Sequence, residues 1–333
     1  MQPLTENKIV LVVRATRLAD LKVRFATKMQ AQFWVSRMGG DFSEYEREDS
    51  AYQGAIGQAR QVLAGLGRVQ VVQRAMLPNF VFGPDDIVIA LGQDGLVANT
   101  LKYLNNQPLI GVNPEPRRYD GQLLPFNMGD LDKVVREVLR GRRQFKQVTM
   151  AKVTLNTRST LYAVNDFFIG ARTHISARYR IEHAERGENH SSSGVVVSTG
   201  LGSTGWFKSL LTGAAAITQS AGTVLAGQST KTVLSGESLV PPVISRGRSN
   251  LKPEFAWDAD YLFFTVREPF PTKNTGANLV FGRVTSSQPL VIESQMAEAG
   301  VIFSDGIEQD FLEFNSGSRA TIGIAERKGV LVV

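Results

Sequence analysis

Cysteine is absent from all 333 residues of the sequence. Its absence excludes disulfide bonds, thiolate nucleophiles, iron–sulfur clusters and cysteine-bound zinc. Histidine is scarce as well, because the sequence contains only His174, His183 and His190. All three fall in a polar stretch, so we expect them at the surface, and a zinc site made of the three is the less favoured alternative.

Long hydrophobic runs are also lacking. The first apolar run, residues 9–13, follows a glutamate and a lysine and is too short for the core of a signal peptide. A longer charge-free stretch, residues 209–230, contains three glycines and many serine, threonine and glutamine residues. Because a membrane span needs about 20 predominantly apolar residues, we interpret this stretch as a buried helix. The sequence therefore predicts a soluble, cytoplasmic protein without a membrane partner.

The charge balance is only mildly positive. There are 37 lysine and arginine residues against 31 aspartate and glutamate residues, which gives a formal net charge of +6. Such a bias suits an anionic small molecule such as a nucleotide, but it is too weak to indicate a nucleic-acid partner. A length of 333 residues with 43% hydrophobic residues is typical of two globular domains.

Strand and helix patterns alternate in the first third of the chain, which predicts a doubly wound α/β domain with a parallel sheet. The predicted strands are Ile9–Val13, Val69–Val72, Asp86–Leu91 and Leu109–Val112. The predicted helices span about 14–34, 45–66 and 96–104.

After a proline-rich loop and a helix predicted from Asp130, its candidate N-cap, to Leu139, short strand patterns dominate. They predict a mostly antiparallel β domain. The predicted strands are Val148–Leu155, Leu161–Asn165, Val195–Ser198, Tyr261–Val266, Leu279–Val284, Leu290–Glu293, Val301–Ser304 and Ala320–Ile324. We place the first domain at residues 1–128 and the second at 129–324, and residues 325–333 are expected to return to the first domain.

Two short motifs follow predicted strands. Gly92-Gln93-Asp94-Gly95 lies between a strand and a helix, where open α/β sheets bind ligands and a helix N-terminus favours phosphate. Asn165-Asp166 ends a later strand, and an Asn–acid pair can recognise a base edge or ribose hydroxyls. Taken singly, each motif is more often a plain turn.

A third motif runs from Ser198 to Trp206 with the sequence Ser-Thr-Gly-Leu-Gly-Ser-Thr-Gly-Trp. It joins a buried strand to a long uncharged helix. Small residues allow a ligand to approach the backbone closely, and Trp206 would supply a ring-sized wall. The alternative interpretation is a flexible linker, which the flanking strand and helix make less favoured.

Together and in this order, the three motifs resemble those of the NAD kinases. That family carries Gly-Gly-Asp-Gly after a strand, then Asn-Glu, then Ser-Thr-x-x-Gly-Ser-Thr-Ala-Tyr. Finer features resemble the mitochondrial type, namely Gly-Val-Asn-Pro-Glu-Pro at residues 111–116, Phe-Ile-Gly at 168–170 and Arg-Glu-Pro at 267–269. A late Asp-Gly, at residues 305–306, also matches, and the resemblance extends from about residue 8 to the end.

The resemblance implies a two-domain kinase that transfers a phosphoryl group from ATP, carried with Mg²⁺, to the 2′-hydroxyl of the NAD adenosine ribose. Asp94 would be the general base, and no residue is assigned as a protein metal ligand. The family works as dimers or tetramers, so a homodimer is expected. The residues expected to bind substrates are Gly92, Gln93, Gly95, Asn165, Asp166, Ser193, Gly202, Ser203, Thr204, Gly205, Trp206 and, near the phosphates, Arg17.

Three departures from the family pattern keep alternatives open. Asp166 replaces Glu, Gly205 replaces Ala, and Gln93 replaces a glycine. If that glycine needs a positive φ, glutamine is strained there by roughly 1–2 kcal/mol. A nucleotide-binding homologue with impaired catalysis is therefore one alternative. A lipid kinase is the other, since lipid kinases share the Gly-Gly-Asp-Gly loop.

Overall fold

The computed structural model describes residues 4–229 and 254–333. Its N-terminal region is built on four parallel strands: β1 (Lys8–Val13), β2 (Arg68–Gln73), β3 (Ile87–Leu91) and β4 (Pro108–Asn113). They lie in the order β2-β1-β3-β4. β3 is buried along its whole length, as expected of a parallel strand covered on both faces. The predicted parallel α/β sheet is confirmed.

Six helices accompany the strands in the described residues: α1 (Arg17–Phe25), α2 (Lys28–Arg37), α3 (Phe42–Ala64), α4 (Asp94–Leu101), α5 (Leu131–Leu139) and α6 (Trp206–Ser229). α3 and α5 pack on one face of the parallel sheet, and α4 packs on the other.

The prediction of one helix over about 14–34 is wrong, because the segment forms α1 and α2. The Thr16 hydroxyl accepts a hydrogen bond from the Ala19 amide, and the Thr27 hydroxyl accepts one from the Gln30 amide. Each threonine therefore caps its own helix. Between the helices, Ala26 has a φ of 63°, which ends the first helical run.

The predicted helix 130–139 is confirmed, but the role expected of its cap is not. Asp130 sits at the N-cap, yet its side chain makes no capping hydrogen bond. Its carboxylate instead accepts a hydrogen bond from the Asn127 amide at 3.0 Å. The Asp130 side chain thus stabilises the turn before the helix and does not cap the helix N-terminus.

The C-terminal region consists of antiparallel strands in two layers, which confirms the predicted β region. One layer continues the first sheet with β6 (Phe145–Leu155), β7 (Thr160–Ala163), β9 (Ala177–His183), β10 (Arg186–Ser192), β14 (Leu290–Ser294) and β17 (Arg319–Val332), while the short β5 (Phe126–Asn127) pairs with β4. The second sheet has the order β13-β12-β11-β8-β15-β16, with β8 (Asp166–Ala171), β11 (Val195–Ser198), β12 (Leu262–Val266), β13 (Phe281–Val284), β15 (Gly300–Ser304) and β16 (Ile307–Glu313).

The long strand β17 joins the two regions. Its first half pairs with β14 and β6, and its end pairs in parallel with β4 through Val330 and Leu331. The first sheet therefore runs through both regions without a break. A separate apolar core fills the space between the two sheets of the C-terminal region. The division at residues 128 and 129 stays a prediction.

Two of the three histidines are buried, contrary to the expectation that all lie at the surface. His183 Nε2 is 2.9 Å from the Arg283 carbonyl oxygen. The His190 ring stacks on Tyr179 with centroids 5.5 Å apart, and its Nε2 is 2.7 Å from Glu188. Within the described part of the chain, each ring has one polar partner, at Nε2, inside a strand pair whose sequence is mostly polar, while Nδ1 of His190 is buried without a hydrogen bond. The third histidine is exposed, as expected.

The uncharged stretch predicted as a buried helix is helical but not buried. It forms most of α6, and the side chains described there, those of residues 209–221, are exposed or half-buried, with Ile217 71% exposed. Residue 230 of the predicted stretch lies outside the described residues. The absence of charged residues in this stretch therefore did not indicate burial. Among the described helices, none has the length and apolarity needed to cross a membrane.

Candidate active site

The carboxyl end of β3 carries the Gly92–Gly95 loop. Tyr52 on α3 donates a hydrogen bond to the Leu91 carbonyl at 2.6 Å, and the Gly92 amide donates one to the Val112 carbonyl at 3.1 Å. Gln93 has a φ of −119° and a ψ of 165° at the N-cap of α4. This is ordinary extended backbone, so the strain that a positive φ would cause for a glutamine is absent at Gln93.

Asp94 is the first residue of α4, at the edge where the parallel strands end. Its carboxylate accepts hydrogen bonds from the Leu123 amide at 2.8 Å and the Gln122 amide at 3.2 Å. These donors come from the loop that follows β4, so one carboxylate ties two neighbouring loops together. The helix N-terminus also favours a negative charge at this position.

Asn165 lies just before β8 and Asp166 begins it, and a carboxylate from a distant part of the chain holds the pair. Asp305 accepts hydrogen bonds from the amides of Val164 (3.0 Å), Asn165 (2.7 Å) and Asp166 (3.3 Å). Asp166 is buried, and this burial, reinforced by the nearby charge of Asp305, raises the pKa of Asp166 to about 7.

The Ser198–Trp206 loop packs directly against the Asn165-Asp166 pair. The Thr199 hydroxyl donates to the Asn165 carbonyl at 3.1 Å and accepts from the Gly202 amide at 3.2 Å. A side chain at Gly202 would place its Cβ 2.1 Å from the Asn165 carbonyl oxygen. Only glycine allows this close approach of the two segments.

A cavity of about 250 Å³ lies where these segments meet. Its lining includes Asp94, Gly95, Asn165, Asp166, Gly202, Thr204, Gly205 and Trp206, all of them predicted site residues. Trp206 is 37% exposed and stacks on Phe168 with centroids 5.8 Å apart. The volume is just below the ~300–1,000 Å³ of typical small-molecule sites, so it suits one part of an extended ligand.

Five predicted residues do not line this cavity. Gly92 and Gln93 lie beside it in the same loop, and Ser203 is fully buried with its hydroxyl bonded to the Gly200 carbonyl. Ser193 lies in the turn between β10 and β11, and its amide donates to the Arg267 carbonyl at 3.0 Å. Arg17 belongs to a separate cluster of charges.

That cluster lies on α3 and the segment after β1. Arg17 Nε donates to Glu48 at 2.5 Å, and Arg14 donates to the other Glu48 oxygen at 2.9 Å. Burial acts to raise the pKa of Glu48, but the two guanidinium groups outweigh it and the pKa is lowered. Arg118, from the loop after β4, is paired with Glu44. The charge of Arg17 is therefore already neutralised by carboxylates.

Sequence reasoning missed three cavity residues: Gln122, Leu123 and Leu201. Gln122 and Leu123 follow a tight turn at Gly121, whose φ is 64°. Their position after the carboxyl end of a strand was the available signal, since ligands gather at that edge. Leu201 lies inside the third motif and contributes an apolar surface.

A larger groove of about 780 Å³ lies elsewhere, between α3 and the edge strand β2. Its lining is made of valine, glutamine and small residues with Arg60 as the charged group. It holds none of the predicted site residues. The smaller cavity is therefore the candidate active site, because the acidic and aromatic side chains converge there.

An N-terminal parallel α/β region joined to a C-terminal antiparallel region, with a cavity between their loops, is the two-domain fold of NAD kinases. A crystal structure of an NAD kinase from Archaeoglobus fulgidus in complex with ATP matches with a TM-score of 0.52 and 14% identity, over 98% of this chain and 93% of that one. Yeast NADH kinase complexed with NADH matches with a TM-score of 0.52 and 14% identity, over 99% and 84% of the two chains. Comparison with models of protein families and with curated protein sequences gives no match.

Proposed function

We propose that this protein is an NAD kinase, which transfers a phosphoryl group from ATP to the 2′-hydroxyl of the NAD adenosine ribose. The observation that carries the proposal is the convergence of Asp94, the Asn165-Asp166 pair and Trp206 on one cavity. These residues come from three motifs far apart in sequence, and the cavity lies at the carboxyl edge of the parallel sheet. The fold shared with NAD and NADH kinases supports it.

Asp94 is suited to the role of proton acceptor. Backbone amides fix its carboxylate at a helix N-terminus, where it can orient the attacking hydroxyl and take its proton late in the transfer. Asn165 and Asp166 would hold the ribose by hydrogen bonds, and Trp206 would stack against a ring of the dinucleotide. The amides at the start of α4 would face the donor phosphates.

Magnesium enters the proposal with the donor nucleotide. In the described residues, no three histidine, aspartate or glutamate side chains are grouped so that they would hold a metal ion. Mg²⁺ is commonly bound through one or two carboxylates together with substrate phosphates, so in this proposal the ion arrives with ATP. When bound, Mg²⁺ would neutralise charge on the transferred phosphoryl group. A homodimer, a cytoplasmic location and kinship with the mitochondrial type are further parts of the proposal.

The test is formation of NADP from NAD with ATP and Mg²⁺, measured for the wild-type protein and for Asp94→Asn. We expect kcat of the variant to fall by about 10²–10⁴-fold, because the carboxylate can no longer accept the proton. Asp132→Asn, on the exposed side of α5, is the matched control and should keep full activity. NAD binding without turnover would favour the impaired homologue, and neither binding nor turnover would favour a lipid substrate.

A further inference from the structure

Asp305 stands outside the three motifs, yet it controls the backbone of one of them. Its carboxylate accepts hydrogen bonds from three successive amides, those of residues 164–166, and its own amide donates to the Asp166 carbonyl at 3.0 Å. A single side chain therefore fixes the orientation of Asn165 and Asp166 at the cavity. Asp305 has a φ of 55°, a conformation that Asp and Asn tolerate.

A buried lysine connects the turn that carries Asp305 to the C-terminal end of α4. Lys102 directly follows α4, the helix that begins with Asp94, and its side chain is 2% exposed. Its ammonium group pairs with Asp310 and donates to the Ser304 hydroxyl at 3.1 Å. Since Ser304 precedes Asp305, the ion pair anchors the turn that carries the Asp305 carboxylate to the end of α4.

The same contacts couple the charges around Asp166. Asp305 is the neighbouring charge that acts on Asp166, Lys102 with its partner Asp310 acts in turn on Asp305, and Asp94 lines the same cavity. Burial raises the pKa of Asp305, and Lys102 and three backbone amides oppose that rise. The charge of Asp305 contributes to the raised pKa of Asp166, so its removal should lower that pKa.

We propose that Asp305 is a positioning residue, which fixes Asn165 and Asp166 for dinucleotide binding and, through Lys102, ties them to the helix that carries Asp94. This inference rests on the proposed function for the identity of the ligand. The arrangement of the charges itself does not depend on NAD. The two statements can therefore be tested separately.

The experiment compares the wild-type protein with Asp305→Asn, Lys102→Met and the surface control Asp132→Asn. Carboxyl carbon NMR of the ligand-free protein gives the titration midpoint of Asp166, which the loss of the signal in Asp166→Asn assigns. Circular dichroism establishes that each variant is folded. Steady-state kinetics then gives kcat and the KM values for NAD and ATP.

For Asp305→Asn we expect the Asp166 midpoint to fall by at least about one pH unit, because a neighbouring negative charge is removed. The KM for NAD should rise roughly ten- to hundredfold, since misplaced binding groups are costly, while kcat and the KM for ATP change much less. Lys102→Met should also raise the KM for NAD with little change in kcat, because the turn that carries Asp305 loses its anchor, and Asp132→Asn should change none of these quantities.

A folded Asp305→Asn variant with an unchanged midpoint and an unchanged KM for NAD would overturn the inference. If Asp305→Asn does not fold, Lys102→Met decides, and a folded Lys102→Met variant with an unchanged KM for NAD overturns the inference. A midpoint that moves in a protein whose wild type does not bind NAD would uphold the coupling between the carboxylates and reject the proposed function.

Discussion

At the scale of single residues, the ionisation of Asp166 connects the candidate active site to the folding stability of the protein. Burial and the charge of Asp305 raise its pKa from 3.8 to about 7. Between these two values the folded protein keeps the Asp166 proton while the unfolded chain has lost it. The contribution of Asp166 to folding stability is therefore greatest below pH 3.8, and it is lost as the pH rises towards 7.

Asp166→Asn should remove this dependence, because the amide does not ionise. The difference between the Asp166 pKa values of the unfolded and folded protein corresponds to at most about 4 kcal/mol in the free energy of unfolding, at ~1.4 kcal/mol per pH unit. We expect the variant to be more stable than the wild type at pH 8 and the difference to shrink as the pH falls from about 7 to 3.8. Urea unfolding at several pH values measures it, and a difference that stays constant with pH would contradict the assignment.

Gln93 is the residue that raised the doubt about catalysis. Its backbone is extended, so glycine is not required there for conformation. We expect Gln93→Gly to change kcat by less than about threefold and to lower stability by roughly 0.5–1 kcal/mol, from the added backbone freedom of the unfolded chain. A large rise in kcat would show instead that the glutamine side chain obstructs the donor phosphates.

At the scale of elements, the loop before α6 depends on one close backbone contact. Gly202→Ala would place Cβ 2.1 Å from the Asn165 carbonyl oxygen, so one of the two segments must move. We expect a loss of more than about 1 kcal/mol of stability, as for other overpacked sites, together with weaker NAD binding.

Gly213→Ala is the matched control. Gly213 lies within α6, and a Cβ built there meets nothing within 4 Å. Because alanine is a better helix former, this variant should be neutral or more stable by up to about 1 kcal/mol. Thermal unfolding and NAD calorimetry of both variants decide the matter, and equal losses in the two would show that the close contact is unimportant.

Sequence patterns predicted the elements with strong periodicity or continuous apolar runs, such as β1, β3 and α3. They missed β9 and β10, where charged and polar residues alternate with the buried ones. The burial of His190 depends on Tyr179 and Glu188, and β-strand pairing brings these side chains together only in the folded chain. For α6 the lack of charged residues predicted burial, but its described side chains from residue 209 onward are exposed or half-buried. The composition of a helix does not reveal what packs against it.

For the candidate site, local motifs predicted the glycine-rich and acidic residues that line the cavity. They did not reveal that Asp305 holds the amides of residues 164–166, because the two segments are about 140 positions apart. Nor did they show that Gln122 and Leu123 cover Asp94. Contacts of such long sequence separation leave no periodic signal in a single sequence.

At the scale of the whole molecule, β17 makes the two regions mechanically dependent on each other. The end of this strand is the outer neighbour of β4 in the parallel sheet, while its beginning belongs to the antiparallel layer. The buried pair of Lys102 and Asp310 adds a second connection between the regions. We therefore expect the regions to unfold in one transition rather than in sequence.

Leu331→Ala tests this coupling. Leu331 is 1% exposed, packs in the N-terminal core and pairs with Leu109. Its truncation should cost about 2–5 kcal/mol, and amide exchange should accelerate in both β1 and β14. Val333→Ala, at a residue that is 41% exposed, is the control and should be near neutral. If β1 lost protection while β14 kept it, the regions would unfold independently, and the cavity between their loops would be lost while the C-terminal fold remained.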